Sequence, residues 1–431
     1  MTSSAPAPET RSRWARMLPP TPLARKLSVQ SVLFAVGEGT FLTGSAVFFT
    51  SIVGLSAAQV GLGLTLAEAV GFFFAIPMGR LADKVGPKRM WAAGALLEAG
   101  LYALWPLIDG LAAFLLMMAV LQVVGAAGWS GRGAYTIDVF PREERVQSQA
   151  FMRAALNIGF TLGALIGGLA LAFNNNEIVR AVPWLTAAIL LANGLYITRL
   201  PDAEHDTTPA PAAERAISSG ALRNRGFLLL NVCDGVLGTN QVLLNVVIPL
   251  WLVQETDAPR VLLAWLFGTN TVLAVLLQVR AARGIDSVGS SVRASQISAC
   301  FFFVSCLIVL VTHDTIGWIT IVLVWLGHVT VTGAELFQSA AHWGYMSELS
   351  DPERRGEYQG AAALGGTVGS VWAPALYTYL AMQWGTPGWL LIGGIVVVAT
   401  LGMAPAAKAA ERFLRRDTAP TGSVPAGSTP A

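Results

Sequence analysis

Residues 79–89 read Gly-Arg-Leu-Ala-Asp-Lys-Val-Gly-Pro-Lys-Arg, a short charged break between two long apolar segments. An apolar helix that ends in Asp and glycine, followed by a basic cluster and a second apolar helix, is typical of a tight turn between two membrane spans. Because Lys and Arg gather on the cytoplasmic side of membrane proteins, we expect this turn to be cytoplasmic. The stretch therefore predicts a helical membrane protein.

The composition of the whole chain supports this prediction. Of 431 residues, 54% are hydrophobic and 13% are charged, and the mean hydropathy is +0.57, which is too apolar for a soluble protein of this size. Runs of roughly 20 apolar residues, the length that crosses a bilayer, recur about twelve times. We predict spans at residues 27–52, 57–82, 89–107, 111–139, 147–173, 180–200, 226–252, 260–282, 293–312, 317–345, 358–382 and 387–406.

The distribution of basic residues predicts the orientation. With both termini in the cytoplasm, only Arg180 and Arg260 of the 28 Lys and Arg residues fall on the outer side. This uneven distribution of Lys and Arg favours an even number of spans. It also favours a multi-pass protein of the cell inner (plasma) membrane. The net charge of +2 gives no reason to expect a nucleic-acid partner. Three cysteines without C-x-x-C spacing suggest neither a disulfide nor a metal site.

A polar, Pro-containing stretch at residues 201–225 cannot span a membrane and divides the chain near its midpoint. In the second part, Asp286-Ser287-Val288-Gly289 lies 203 residues after Asp83-Lys84-Val85-Gly86, in the corresponding loop. Such an offset indicates a parallel internal repeat. We therefore predict a cytoplasmic tail (1–26), a six-helix bundle (27–200), a cytoplasmic linker (201–225), a second six-helix bundle (226–406) and a cytoplasmic C-terminal tail (407–431).

Together these features resemble the major facilitator superfamily of transporters, whose signature loop is G-x-L-x-D-x-x-G-x-[KR]-[KR]. The resemblance implies an all-α membrane protein with 12 transmembrane helices in two pseudo-symmetric bundles, usually monomeric, that rock around a central site. It also implies a conformational latch in which the partner of Asp83 comes from span four, with Arg132 as the candidate, and from the start of span eleven. The predicted latch residues are Gly79, Asp83, Gly86, Arg89, Arg132 and Asp138.

Span five contains Gly159-Phe160-Thr161-Leu162-Gly163-Ala164-Leu165-Ile166-Gly167-Gly168, which resembles the antiporter motif G-x-x-x-G-P-x-x-G-G of drug exporters. Ala164 replaces the usual proline, so no kink is implied. We expect Gly159, Gly163, Gly167 and Gly168 to permit close helix packing. An arginine midway along span four, another family feature, is missing; Gln122 lies near that depth.

Besides Asp138 at the end of span four, five acids lie inside predicted spans, where an ionisable side chain costs roughly 2.5–3.5 kcal/mol and is a functional candidate by default. No lysine lies at matching depths, and acids without nearby cations can exchange protons. Each acid has an alternative role as a permanently protonated structural group. These candidates for proton coupling or substrate binding are Glu38, Glu68, Glu98, Asp234 and Glu335.

Asp234 and Glu335, with Asp138 and Asp83, resemble the acid set of proton-driven multidrug exporters in this superfamily. The resemblance implies that Asp234 and Glu335 recognise the drug cation and exchange protons. It implies that Asp138 and Asp83 belong to the latch. Arg145 and Arg153 are candidates to contact Asp138 or lipid phosphates, with a purely topological role as an equal alternative. His328 and His342 in span ten are interpreted as hydrogen-bonded packing residues, with a proton relay as the alternative. Aromatic residues such as Phe41, Phe72 and Trp129 are candidates to line a lipophilic cavity or to face lipid and core.

No Walker P-loop is present, so the predicted energy source is an ion gradient, without a cofactor or metal. We predict a secondary transporter, not an enzyme, that exports a hydrophobic small molecule, cationic or neutral, such as a drug or metabolite, in exchange for protons; its partners are substrate, protons and membrane lipid. The alternative within transport is proton-coupled uptake of a sugar or organic acid. Alternatives in other classes are a membrane enzyme, a lipid flippase or a ligand sensor. The uptake alternative depends on amide residues that could face the cavity, namely Gln122, Asn157, Asn231, Asn240, Gln241 and Asn270.

Overall fold

The computed structural model describes residue 19 and residues 21–173, 175–203, 220–259 and 262–417, in which twelve long helical units occur and no strand. The first six are α1 (Pro22–Val47, with a π-turn at Phe48–Ile52), α2 (Ala57–Val85), α3 (Pro87–Leu104), α4 (Gly110–Val139), α5 (Arg142–Ala172) and α6 (Asn176–Thr198). The unit α7 is segmented into Arg225–Leu237, Asn240–Val242, a π-turn at Leu243–Val247 and Ile248–Glu255. The rest are α8 (Leu262–Ala281), α9 (Val288–Val311), α10 (Trp318–Leu349), α11 (Arg355–Trp384) and α12 (Thr386–Asp417).

Helices are the expected solution for apolar segments in lipid, because every backbone polar group is then bonded within its own segment. Polar side chains define several of the ends. The hydroxyl of Ser56 accepts from the backbone N–H of Gln59 at the start of α2, and Gln59 returns a bond to the backbone of Ser56. Gly86, at φ +105°, makes the tight turn between α2 and α3.

Eight of the described helical units are long and apolar enough to cross a membrane, namely α2, α4, α5, α6, α7, α9, α10 and α12. The all-α membrane fold predicted from the sequence is therefore confirmed. For the remaining four units a membrane crossing stays a prediction.

Several helices extend beyond the predicted apolar spans, among them α5 and α9 at their starts and the first and last helices. α1 begins at Pro22, inside the predicted N-terminal tail, and α12 continues to Asp417, beyond the predicted span end at residue 406. Hydropathy marks only the apolar part of a helix, whereas the last turns of α12 are charged and contain an ion pair between Arg415 and Glu411. The remaining parts of both tails and linker residues 204–219 lie outside the described residues.

The packing of the helices repeats between α1–α6, here called the first half, and α7–α12, the second half. In the first half α1 packs on α5 and α6, α2 on α4, and α3 on α4 and α6; in the second half α7 packs on α11 and α12, α8 on α10, and α9 on α10 and α12. Between the halves, α2 packs on α11 and α5 packs on α8. This matched pattern is what a parallel repeat produces.

Glycines of the span-five motif bring α5 close to α1. A Cβ atom added at Gly163 would lie 2.5 Å from the carbonyl oxygen of Val36, and one at Gly167 would lie 2.5 Å from that of Thr40. Gly159 is equally tight, since an added Cβ would lie 2.7 Å from the carbonyl oxygen of Val32. Gly168 differs from the prediction, because it has nothing within 4 Å and so contributes no close packing.

The start of the linker is held on α3 by an exposed ion pair. Lys88 Nζ donates to Asp202 Oδ1 at 2.6 Å, and this contact lowers the pKa of Asp202. The pair is therefore complete at neutral pH and is lost only when the pH falls through that lowered pKa.

Candidate functional site

A cavity of about 910 Å³ lies between the two halves. Its walls come from α1–α5 in the first half and from α7, α10 and α11 in the second. We call the end of the molecule that carries the 79–89 loop the latch end and the opposite end the open end. Hydrophobic side chains on the cavity wall remain accessible, with Leu42 65% and Leu64 52% exposed. At the latch end, contacts between the halves close the cavity.

Asp83 caps the helix α11 from the other half. Its Oδ1 accepts the backbone N–H of Gly356 at 2.6 Å, and its Oδ2 accepts that of Glu357 at 2.9 Å. The first turn of a helix has unpaired N–H groups and a positive dipole end, so a carboxylate there is stabilised. This is the contact with the start of span eleven that the family resemblance implies for Asp83.

Glycines allow α2 and α11 to touch through their backbones. A Cβ atom added at Gly79 would lie 2.1 Å from the carbonyl oxygen of Gly356, and one at Gly360 would lie 2.2 Å from that of Ala75. No larger residue fits at Gly79 in this arrangement. Next to the contact, Arg80 lies 3.1 Å from Glu357.

Two further ion pairs cross the latch end and mirror each other. Asp138 at the end of α4 pairs with Arg355 at the start of α11, while Glu348 at the end of α10 pairs with Arg142 at the start of α5. The first pair is buried, whereas the Arg142 side chain is 64% exposed. Arg145 adds a longer contact to the carbonyl oxygen of Ser347 at 3.5 Å.

Arg132 does not pair with Asp83, so that part of the predicted latch is wrong. It is buried deeper in the first half, where its Nη2 donates to Ser31 Oγ at 3.0 Å and its guanidinium lies 5.1 Å from the centre of the Trp129 ring. Its Nε has no hydrogen-bond partner among the described residues. Arg89, another predicted latch residue, is exposed on α3.

The three candidate acids of the first half all line the cavity. Glu38 lies on α1, and Glu98 lies on α3 one helical turn before Tyr102, which also lines the cavity. The Oε1 atom of Glu38 is buried without a hydrogen-bond partner among the described residues. Glu68 on α2 is exposed.

The two candidate acids of the second half have partners. Asp234 on α7 is buried on the cavity wall, accepts from Gln338 Nε2 at 3.0 Å and lies 2.7 Å from His342 Nδ1. His342 is therefore in contact with one of the candidate acids. His328, in contrast, is fully buried and does not line the cavity.

Glu335 has a cation partner, contrary to the expectation that the acids lack one. Its Oε1 lies 3.2 Å from Arg153 Nη2 on α5, and its Oε2 accepts from Asn270 Nδ2 at 3.0 Å. Arg153 lines the cavity and Glu335 does not. Arg153 was expected to contact Asp138 or lipid; it is instead a contact between the halves, at a sequence separation of 182 residues.

Aromatic rings cover much of the first-half wall. Phe41 packs edge-on against Tyr102 at 5.3 Å and is stacked against Trp105 at 5.9 Å. The Trp105 and Phe49 rings are 5.0 Å apart. We call the following set of cavity-lining rings the aromatic wall: Phe34, Phe41, Phe49, Tyr102, Trp105 and Trp129.

The sequence interpretation missed Glu348, and it missed the distant partners of Arg153, Arg355 and His342. A signal existed for the pairs at the latch end, because Pro141 to Arg145 and Pro352 to Arg355 both follow a long span that ends in polar residues. No group of three or more metal-binding side chains occurs in the described part of the chain.

Comparisons with known proteins agree with this geometry. A model of the Major Facilitator Superfamily matches residues 27–374. The multidrug resistance protein MdtH of Yersinia enterocolitica serotype O:8 / biotype 1B is 26% identical over 386 residues, which cover 88% of this chain and 92% of that protein.

Two solved structures share the fold. A bacterial homologue of the iron transporter ferroportin, in an outward-facing state, has a TM-score of 0.67 at 14% identity and covers 92% of this chain and 100% of its own. A single-residue variant of the E. coli fucose:proton symporter FucP has a TM-score of 0.67 at 15% identity, with 89% and 98% covered.

Proposed function

This chain belongs to the major facilitator superfamily of membrane transporters, and on that premise we propose that it exports a hydrophobic, cationic small molecule in exchange for protons. The exchange proceeds by alternating access, in which the latch end and the open end of the cavity open in turn. We place the protein in the inner membrane with the latch end cytoplasmic, because the basic 79–89 loop lies there.

One observation carries the proposal: the cavity combines four carboxylic acids with the aromatic wall. Glu38, Glu68, Glu98 and Asp234 all line it. Acids can hold a cation or a proton at the same place, and aromatic faces attract cations and bury apolar surface. The multidrug name of the Yersinia relative supports the same substrate class.

The latch end supports a cavity that opens alternately at its two ends. Polar contacts such as Asp83 with the start of α11 and Arg355 with Asp138 hold it. Polar contacts at a membrane surface exchange readily for contacts with water, so the two halves can separate there without exposing a large apolar core. The predicted bundles 27–200 and 226–406 are the rigid bodies that would move.

Uptake of a polar nutrient is the second candidate, favoured by amides on the cavity wall, Gln122 and Gln241. Three other amides named from the sequence already donate hydrogen bonds within the protein. Asn231 Nδ2 donates to the carbonyl oxygen of Phe227 at 2.8 Å and Asn240 Nδ2 to that of Leu237 at 2.9 Å. Asn270 is occupied by Glu335. Gln338 and Gln359 also line the cavity, and Gln338 is bonded to Asp234.

The test measures accumulation of tetraphenylphosphonium in everted inner-membrane vesicles, with and without an imposed pH gradient. Vesicles with the protein should accumulate the cation only when the lumen is acidic, and a protonophore should abolish the accumulation. Vesicles from cells without the protein are the control. Accumulation independent of the gradient, or gradient-driven accumulation of fucose or another sugar instead, contradicts the proposal.

A further inference from the structure

A groove of about 670 Å³ lies on the outside of the second half, between α9 and α10. We infer that this groove binds one molecule of an anionic phospholipid, with its headgroup at Arg293 and an acyl chain along α9. None of the groove residues lines the central cavity, so the inference holds for either direction of transport and for any substrate.

The groove follows one face of α9. Five of its residues recur every three or four positions and therefore share one side of the helix. They are Arg293, Ile297, Cys300, Val304 and Ile308. From the first to the last of them α9 rises about 22 Å, which is roughly half of the 40–45 Å that a bilayer measures with its headgroups. The groove thus has the length of one leaflet.

Close packing of α9 on α10 closes the floor of the groove. Ser305 Oγ on α9 donates to the carbonyl oxygen of Gly327 on α10 at 2.8 Å, and a Cβ atom added at Gly327 would lie 2.5 Å from the Val309 side chain. On the α10 wall, Thr330 donates its hydroxyl to the carbonyl oxygen of Leu326 at 2.6 Å. The hydroxyl is therefore already bonded within its own helix, and the middle of the groove is apolar.

Exposed apolar side chains form most of the groove wall. Ile297 and Val304 on α9 and Leu326 on α10 are all exposed. Both helices are long and apolar enough to cross a membrane. Apolar surface on a spanning helix is in contact with lipid hydrocarbon wherever no other part of the protein covers it. An acyl chain is therefore the occupant that suits this part of the groove.

Arg293 places a cation at the end of the groove that is nearer the latch end. The start of α9 lies there, because a Cβ atom added at Gly344, one turn before Glu348, would lie 2.1 Å from Ser291 Oγ. Arg293 is exposed and forms no ion pair with any described residue. Its Nε makes only a 3.5 Å contact with the carbonyl oxygen of Gly289 in its own helix. The rest of the guanidinium group can bind a phosphate.

The polar groups of the groove favour an anionic headgroup. No acid occurs among its lining residues in the described part of the chain, so the charge of Arg293 is not balanced there. Asp286 lies before the start of α9 and accepts from Ser290 Oγ at 3.4 Å. The ammonium group of phosphatidylethanolamine would find no carboxylate in the groove. Phosphatidylglycerol instead carries one negative charge and hydroxyl groups.

Gln296 adds a partner for such hydroxyl groups. It lies one turn after Arg293 on the groove wall, is exposed and has no hydrogen-bond partner among the described residues. Its amide both donates and accepts hydrogen bonds. A free phosphate ion would contact Arg293 and Gln296 but would gain nothing from the apolar part of the groove, whereas a phospholipid contacts both parts.

The experiment measures lipid binding to the purified full-length protein by native mass spectrometry. The probes are phosphatidylglycerol and phosphatidylethanolamine with the same acyl chains. We expect the wild-type protein to bind one phosphatidylglycerol at least about tenfold more tightly than phosphatidylethanolamine.

Two variants with matched controls locate the site. Arg293→Gln should bring the affinities for the two lipids to within about twofold of each other, whereas Arg199→Gln, at the exposed end of α6, should keep the wild-type preference. Cys300→Trp fills the middle of the groove and should weaken phosphatidylglycerol binding about tenfold. Val398→Trp makes a similar change at an exposed position on α12 outside the groove and should bind as wild type does.

Phosphatidylglycerol with a diazirine on its acyl chain should label residues 297–308 of α9 on illumination. Equal wild-type affinity for the two lipids, a phosphatidylglycerol preference that persists in Arg293→Gln, or labelling confined to other helices overturns the inference. A lipid-free dimer that is lost in Cys300→Trp identifies a second copy of the chain as the occupant and also overturns it. Thermal unfolding identifies a folding defect in Cys300→Trp, in which case Arg293→Gln and the labelled residues decide.

Discussion

At the scale of single residues, Arg153 shows why the acids of a membrane chain cannot be assigned from depth alone. The sequence places Glu335 in mid-span and offers no lysine at that depth, so it predicts an acid without a counter-charge. The structure supplies one from α5, in the other half of the chain. The pair of Arg153 and Glu335 links the two halves, and Glu335 is also a candidate for proton coupling.

We expect Glu335→Gln to destabilise the protein, because Arg153 then loses its carboxylate while the rest of its site is unchanged. The loss should be about 1–3 kcal/mol, below the cost for a fully buried pair, since the Arg153 side chain is 38% exposed. Thermal unfolding in detergent, followed by intrinsic tryptophan fluorescence, measures it. The double variant Arg153→Gln/Glu335→Gln should recover part of the loss; a double variant as unstable as the sum of the two singles would contradict this pairing.

Asp83 and Arg132 show which side-chain contacts could be predicted from the sequence and which could not. The loop motif identifies Asp83, and the family resemblance names the start of span eleven, where the acceptor does meet the N–H groups of Gly356 and Glu357. The same reasoning fails for Arg132, because the direction of a side chain around its helix depends on how that helix is rotated against its neighbours. The local sequence gives the residue type but not the rotation of the helix against its neighbours.

At the scale of helices, the span-five glycines give a matched comparison on one element. Gly163→Ala places a methyl group 2.5 Å from the carbonyl oxygen of Val36, so α1 and α5 must move apart. We expect a loss of about 1–3 kcal/mol in the free energy of unfolding, typical of overpacking. Gly168→Ala meets open space and should be neutral or slightly stabilising, because alanine favours helix. Thermal midpoints of the two variants check this, and equal midpoints would contradict it.

The contact between α2 and α11 leads to a conformational prediction. In Gly79→Ala the added Cβ would lie 2.1 Å from the carbonyl oxygen of Gly356, so the latch end cannot close as it does here. We expect the population to shift towards a state that is open at the latch end. Pulsed electron paramagnetic resonance between spin labels at the exposed residues Lys84 and Arg283 measures this as a longer distance.

The same labels in Gly168→Ala protein are the control for Gly79→Ala. A distance distribution in Gly79→Ala identical to that of the control would show that the latch end tolerates the larger residue.

Helix positions were easier to predict from the sequence than their ends and contacts. Apolar runs and the polar breaks between them locate all twelve helical units, since lipid leaves a backbone few alternatives to a helix. The helix ends at Pro22 and Asp417 lie outside the predicted spans because charged turns continue a helix after the apolar run stops. Gly168 was misassigned because a motif gives spacing along one helix and not which side faces a neighbour.

At the scale of the whole molecule, the two mirrored ion pairs at the latch end should not contribute equally. In Asp138→Asn the largely buried Arg355 loses this carboxylate, and the cost should be below the roughly 3–5 kcal/mol of breaking a fully buried pair. In Glu348→Gln the largely exposed Arg142 can turn to water, so the cost should be within about 1 kcal/mol.

The fraction of molecules with a long distance between labels at Lys84 and Arg283 should therefore be larger in Asp138→Asn than in Glu348→Gln. The charge exchange Asp138→Arg/Arg355→Asp should restore the wild-type distribution at least in part. Equal shifts in the two single variants would indicate that burial does not decide the strength of these contacts.

The mirrored pairs also bear on the ancestry of the molecule. In each pair, the acid at the end of the fourth helix of one half meets the arginine at the start of the fifth helix of the other, Asp138 with Arg355 and Glu348 with Arg142. A single six-helix unit with one such acid and one such arginine would form both pairs with a second copy of itself, because a twofold axis makes every contact twice. Gene duplication followed by fusion would thus inherit a working latch, and later divergence could bury one copy and expose the other.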